Sequence, residues 1–500
     1  MKIFSADQIK AWDAYTIEHE PVASIDLMER AATVCAAWII KTYPKAVFRI
    51  FCGKGNNGGD GLAIARLLLQ QHLSVFVYIY ETGATGSPDF QENLHRLHSV
   101  THEIHFLQHE EAFPFIDPDD VVIDALFGIG LQRPLEGLAA QLVTYLNNRA
   151  SNIISIDLPS GLYADKCSLG NAVINARHTL TFEGWKIAFL MEENAAYCGN
   201  IQLLPIGLHP NFLEKTDTRF QMLTGTFCKS SLRRRAPFSH KGNYGHALMI
   251  AGSKGKIGAA VLAGTACMRS GVGLLTMHLP ACGSTVIHTI LPEAMLSEDQ
   301  QEDIFSTLPD DLLKFNAIGI GPGIGTASAT SEALQELLKA YPRPVVLDAD
   351  ALNILAQTGM TEMHLPAGSI LTPHPKEFER LCGKASNHFE RMELALQKAK
   401  EWNVIIILKT KFTLIACPDG KAWFNPTGNP GMAKAGSGDV LTGILTGLLA
   451  RGYEPVIAAQ LGVYWHGYAG DLAAAAWHEE AMKAGDIIQS LPAAFQAIAT

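Results

Sequence analysis

Short runs of β-branched and aromatic residues recur along the chain, each followed by a stretch with helical periodicity. In the first half these runs are 46–53, 74–80, 120–128, 152–161 and 178–184. In the second half they are 246–252, 273–280, 317–325, 344–350, 368–375 and 404–410, the last leading into a hairpin-like segment, 412–424. Continuous apolar runs mark strands buried on both faces, and strands that alternate with helices predict mostly parallel sheets covered by helices. Both series pause between about Leu208 and His240, where the sequence turns polar and rich in turn formers. We place a boundary near Thr216, giving an α/β domain of residues 1–215 and a second of residues 216–500.

Length supports that division, because 500 residues exceed what one hydrophobic core serves. The net charge of −10 argues against nucleic-acid binding. The one tight basic cluster, Leu232–Ala236 (LRRRA), reads as a solvated linker. Nine cysteines without a CxxC pair fit reduced thiols and give no zinc site. The histidines of THEIHF, from Thr101 to Phe106, lack zinc spacing. The N-terminus has no apolar signal region, and the most hydrophobic helix candidate, Val440–Ala450, is too short to span a bilayer. The expected location is the cytoplasm, with no membrane partner.

Three strand ends in the first half carry unusual chemistry. The turn GNNGGDG supplies Asn56, Asn57, Gly58, Gly59 and Asp60; IDALFGIGLQRPL supplies Asp124 and a glycine loop; SIDLPSG supplies Asp157 and Ser160. The glycine turn resembles a phosphate loop, yet no Gly-Lys-Ser/Thr closes it. Glycines permit close backbone approach, so the amides of residues 56–61 can face an anion such as a pyrophosphate at the following helix N-terminus. Asn57, Asp124 and Ser160 offer only oxygen donors and suit a hard cation.

These motifs, with WDAYTIEHEPVASIDLMERAA before them and DLPSGLYAD after, resemble the N-terminal domain of the YjeF family, the NAD(P)HX epimerase, over roughly residues 1–210. The resemblance implies a Rossmann-like three-layer sandwich. It also implies substrate contacts from Asn56–Asp60, from Gly128, Ile129, Gly130, Leu131, Gln132, Arg133 and Pro134, and from Asp157. It further implies K⁺ at Asn57, Asp124 and Ser160, and Asp157 as the catalytic group. NADHX and NADPHX are reduced nicotinamide cofactors that have added water at C6. Loss of that hydroxyl leaves a delocalised cation to which water returns from either face.

The second half carries AGSKGKIGAAVLAGTACMRSG, GIGPGIGT, VLDADALNIL, LTPHPKEFERL, LKTKFT and GNPGMAKAGSGDVLTGIL. Gly436, Ser437 and Gly438 predict a turn into a helix starting near Asp439, exposing amides to a phosphoryl group while Asp439 takes the proton of an attacking hydroxyl. The set is similar to the ribokinase-like superfamily, and as a whole to the C-terminal domain of the YjeF family, the nucleotide-dependent NAD(P)HX dehydratase, over about residues 225–498. The resemblance implies a three-layer sandwich in which Lys409, Thr410, Lys411, Phe412, Thr413 and Gly438 face ADP or ATP. Ala259, Gly323, His374 and the catalytic Asp439 then face the hydrated dinucleotide, with Mg²⁺ on the nucleotide phosphates and Glu377 or Asp350 as oxygen partners. The sequence departs from the family pattern at Lys256, Lys434, Ala435 and the bulky KTKFT. A homo-oligomer is expected from the resemblance alone. The competing reading is a small-molecule kinase whose N-terminal domain binds a dinucleotide without catalysis or serves as a scaffold.

Overall fold

The computed structural model describes residues 1–359 and 364–499. The chain divides into two compact units, Lys2–Thr218 with Asn387–Phe389, and Arg219–Ser386 with Glu390 onward.

In the first unit seven strands form a parallel sheet in the order Ile104–Leu107, Ser74–Tyr80, Val47–Cys52, Val121–Ala125, Asn152–Ile156, His178–Phe182, Asn200–Leu204. Successive side chains of a strand point to opposite faces, so a strand covered on both sides must be apolar throughout. Phe48, Ile50 and Cys52 pack in one cluster with Leu62, Ile64 and Leu68 of helix Asn56–Gln70. Phe51 and Val122 pack in the opposite cluster with Leu142 and Leu146 of helix Gly137–Arg149. Strand order reverses between Val47–Cys52 and Val121–Ala125, so the loops after these two strands diverge and leave a crevice at their carboxyl ends. Those loops are the GNNGGDG turn and the glycine loop from Gly128.

In the second unit the strand order runs Phe220–Met222, Ala422–Phe424, Leu414–Ala416, Ile405–Leu408, Ile370–Leu371, Val345–Leu347, Ala317–Ile320, His246–Ile250, Leu274–Leu279, Met295–Glu298. The hairpin strand Leu414–Ala416 is antiparallel to both its neighbours, and the pairs from Ile405–Leu408 to Met295–Glu298 are parallel. Here the order reverses between His246–Ile250 and Ala317–Ile320; Ala259 lies in the first turn of the helix after the former, Ile257–Arg269, and Gly323 in the loop after the latter. Arg233 and Arg235 are exposed, as expected of a solvated cluster, but they belong to this unit and are not a linker. Their guanidinium groups lie over the rings of Tyr453 and Tyr244, at 4.9 and 3.9 Å. All nine cysteines are free. Among the described residues no helix is long and apolar enough to cross a membrane.

Helix Ser437–Ala450 crosses helix Ile257–Arg269 at small residues. A β-carbon on Gly443 would lie 2.1 Å from the Ala263 carbonyl oxygen, and one on Gly447 would lie 1.7 Å from Ser270 Oγ. This crossing fixes the start of the first helix, where a β-carbon on Gly436 would meet Leu262 at 2.5 Å. Gly443→Ala therefore forces the helices apart and is expected to cost about 1–3 kcal/mol, as overpacked cores do. Thermal denaturation should show a lower Tm for this variant, and an unchanged Tm would refute the close packing.

Candidate active sites

In the first unit, helix Asn56–Gln70 begins inside the glycine turn, with Gly55 as its cap. Gly59 N already donates to the Gly55 carbonyl, so the amides free to face an anion are those of residues 56–58, fewer than the turn predicts. Gly58 is required by space, since its β-carbon would lie 1.7 Å from the Gly53 carbonyl oxygen. Asn57 is buried, and neither polar atom of its side chain has a hydrogen-bond partner. It lies against the glycine loop, where a β-carbon on Gly128 would meet Asn57 Cγ at 3.3 Å. From Ile129 to Pro134 that loop is half-buried or exposed.

Asp124, wholly buried, accepts from Ser160 N at 2.9 Å, Ser160 Oγ at 2.5 Å and Ser155 Oγ at 2.7 Å. Burial still raises its carboxyl above the usual range. Asp124 and Ser160 are thus in contact, with Asn57 across from the same loop. The donors are all oxygen, and among the described residues no group of three His, Cys, Asp or Glu side chains could hold a metal ion.

Asp157 follows the strand Asn152–Ile156 in a left-handed conformation, φ +64°, unusual outside glycine and asparagine. Its N–H donates to the Leu180 carbonyl at 2.7 Å, which turns the side chain out of the strand. One carboxylate oxygen accepts from Lys186 Nζ at 2.6 Å. Lys186, 1% exposed, also donates to Thr181 Oγ1 and, at 3.4 Å, to the Phe182 carbonyl. Two further carboxyl groups belong to this site. Burial pushes Asp13 up to about 7, with the charge of Asp157 adding to the effect. Burial pushes Asp60 well above the usual range, again with Asp157 adding. Lys186 and Asp13 were not singled out by the sequence reading. A lysine in FEGWKIAFL carries no motif of its own, and it is buried while its neighbour Trp185 is only half-buried.

In the second unit, helix Ser437–Ala450 starts two residues before the expected position, with Gly436 in a left-handed conformation, φ +92°, as its cap. Gly438 therefore lies in the first turn, within 3.4 Å, at its β-carbon position, of both Asp348 Oδ2 and Lys409 Nζ. Asp348 was passed over in favour of Asp350, yet it anchors this site. It is 2% exposed, accepts from Lys409 Nζ at 2.9 Å and Thr442 Oγ1 at 2.8 Å, and its N–H donates to the Ile320 carbonyl. Burial opposes its ionisation, but Lys409, Thr372 and Thr442 outweigh burial and hold the carboxyl below its usual range. Burial, with the charge of Asp348 adding and Lys409 opposing, pushes Asp439 up to about 6.

Ala259 and Gly323 meet across the switch point. Gly323 has φ +66°, and its β-carbon would lie 3.2 Å from that of Ala259. His374 caps helix Pro375–Cys382, its Nδ1 accepting from Lys376 N at 3.1 Å. Glu377 completes this capping box by accepting from His374 N at 2.9 Å, so it serves the helix start and is a poor candidate for a metal partner. Asp350 accepts from Gly325 N at 2.8 Å and from Lys256 Nζ at 3.2 Å. Within KTKFT, only Lys409 turns to the carboxylates. Lys411 donates to the Gly428 carbonyl, and Thr410 and Thr413 close a turn with Phe412 between them.

Together these features define a two-domain α/β protein in which each mainly parallel sheet has a switch point and, at the end of the strand next to it, an aspartate paired with a lysine. Family models match both units: residues 24–188 fit the YjeF-related protein N-terminus, and residues 247–493 the family described as NAD(P)H-hydrate dehydratase. The bifunctional NAD(P)H-hydrate repair enzyme Nnr of Moorella thermoacetica is 37% identical, covering 98% of this chain and 96% of its own. That of Escherichia coli is 30% identical, covering 98% and 93%. A crystal structure of a ribokinase-like superfamily protein from Enterococcus faecalis, 26% identical, matches 57% of this chain and 98% of its own with a TM-score of 0.51. The chain belongs to the bifunctional NAD(P)H-hydrate repair enzyme family.

Lys409→Met would strand Asp348 as a buried charge without a cation. Breaking such a pair costs about 3–5 kcal/mol. Denaturant unfolding should show that loss, and an unchanged midpoint would mean that Asp348 does not depend on Lys409.

Proposed function

We propose that the first unit interconverts the R and S epimers of NADHX and NADPHX. The second unit dehydrates the S epimer to NAD(P)H at the expense of ADP, or ATP, yielding AMP, or ADP, and phosphate. The observation that carries this reading is Asp439, a carboxyl pushed up to about 6 at the first turn of a helix opened by a left-handed glycine. Such a group is ionised at neutral pH yet basic enough to take a proton from a hydroxyl. Asp439 removes the proton of the C6 hydroxyl, whose oxygen attacks the terminal phosphoryl of the nucleotide. The ring nitrogen lone pair then expels phosphate from C6, and loss of a proton from C5 restores the dihydronicotinamide. The amides of the helix start, including Gly438, favour the anionic phosphoryl group. Ala259, Gly323 and His374 line the dinucleotide side, and Lys409 to Thr413 the nucleotide side. Mg²⁺ on the nucleotide phosphates, with Asp350 as an oxygen partner, would supply charge neutralisation there.

In the first unit Asp157 shuttles a proton as the C6 hydroxyl is lost and regained, and residues 56–60 with 128–134 hold the dinucleotide. The unpartnered amide of Asn57 beside Asp124 and Ser160 suits a cation taking oxygen ligands, and K⁺ is the proposed occupant. Bound there, it would tie the glycine turn to the glycine loop. The division of labour explains the fusion, because a dehydratase selective for S needs an epimerase to feed it the R form.

Recovery of near-ultraviolet NADH absorbance from mixed R and S NADHX with ADP or ATP tests the whole reading. The intact chain should recover all of it, Asp157→Ala should stop near the S fraction, and Asp439→Ala should recover none. No recovery with either nucleotide would sink the repair reading and favour a kinase that accumulates a phosphate ester. A base pushed up to about 6 is protonated below that pH, so the dehydration kcat/KM should fall about tenfold per pH unit below it. A flat profile down to pH 5 would remove Asp439 as the base.

A further inference from the structure

Three carboxyl groups and a single ammonium share the buried end of the first unit's sheet. Asp13 comes from helix Ala6–His19, Asp60 from helix Asn56–Gln70, and Asp157 and Lys186 from the loops after neighbouring strands. The distribution of contacts is uneven. Lys186 Nζ is within 2.6 Å of Asp157 and is held there by Thr181 and the Phe182 carbonyl, while no lysine or arginine forms an ion pair with Asp13 or Asp60 among the described residues. The charges acting on Asp13 are those of Asp157, Lys186 and Glu183, and those acting on Asp60 are Asp157, Asp13 and Asp89. Cys35, buried on helix Ser24–Thr42, faces the same group, its thiol pushed up by burial and then by Asp60 and Asp157.

We propose that Lys186 is a positioning residue that sorts these carboxyl groups by role, pairing with Asp157 to hold it as the base while Asp60, which has no cation partner among the described residues, serves as the acid. The proposal rests on the epimerase reading of this unit. Two like groups made unlike by their surroundings supply an acid and a base in one site. In the resulting step the Asp60 proton passes to the C6 hydroxyl oxygen as the C6–O bond breaks and its electron pair leaves with water. The ring nitrogen lone pair moves into the ring to balance the charge. Water then forms a new C6–O bond on the opposite face, and its proton goes to Asp157. Return of that proton from Asp157 to Asp60 resets the site, so no net proton, electron or water is consumed.

The test uses the full chain and a single epimer of NADHX without nucleotide, following R to S conversion by chromatography across pH. Lys186→Met removes the ammonium that pairs with Asp157. The expected kcat loss is about 10²–10⁴-fold, the contribution of general acid–base catalysis, with KM within a few-fold. The residual rate should climb with pH where the wild-type rate is flat. Lys186→Arg, which keeps the charge, should restore the wild-type pH dependence. Wild-type kcat and pH dependence in Lys186→Met would overturn the proposal, as would equal losses in both variants with an unmoved pH profile. Should Lys186→Met fail to fold by circular dichroism, Thr181→Val, which frees one anchor of the ammonium, should lower kcat at constant KM, and an unaltered kcat would overturn the proposal. Absence of conversion by the wild-type chain would instead refute the epimerase reading.

Discussion

In both units the loops that carry the polar groups run through gaps too narrow for a β-carbon, and this sets how closely the strand ends of each site approach. A β-carbon on Gly53 would lie 1.9 Å from the Leu126 carbonyl oxygen, which brings the first glycine turn against the loop after Asp124. In the second unit Gly321, φ +131°, would place its β-carbon 1.8 Å from the Asp348 carbonyl oxygen, which joins the loop that carries Gly323 to the carboxylate that holds Lys409. Main chain against main chain at these places lets three strand ends converge, where ordinary side chains would hold them apart.

Each unit then places charge in the crevice by the same means. An aspartate directly after a parallel strand leaves the sheet through a left-handed residue, Asp157 itself in one unit and Ala349 in the other, and meets a lysine from a later strand end. Desolvating two charges offsets most of their attraction, so such pairs contribute little to folding. Their effect is on neighbours. Asp439 feels Asp348 and Lys409 in opposite senses, and Asp13 feels Asp157 and Lys186 in the same way.

Much of this architecture was legible in the sequence, and the exceptions have physical causes. The central strands announce themselves because burial on two faces demands unbroken apolar runs, as in Val121–Ala125, buried at all five positions. Ile104–Leu107, Asn200–Leu204 and Met295–Glu298 went unread. Each lies at a sheet edge, half exposed, and carries polar residues that blur the pattern. The glycine motifs located both crevices, but both helices begin earlier than predicted, because glycine in a first turn looks like loop when only propensity is consulted. Asp348 and Asp350 are two residues apart in VLDADALN, and only the three-dimensional fold shows which one Lys409 reaches. Lys186 was hidden for the opposite reason. A lone lysine beside a tryptophan suggests a surface cation next to a core aromatic, yet the fold buries the lysine and leaves the tryptophan half-buried.

The helix that begins at Ser437 is buried without interruption from Val440 to Ala450. A rod enclosed on every side by packed neighbours has no direction in which to tilt or slide without opening voids. The wall of the crevice that bears Asp439 and Gly438 is thus a fixed anvil. Any motion that opens this crevice must therefore come from the loops that face the helix, and not from the helix that bears Asp439.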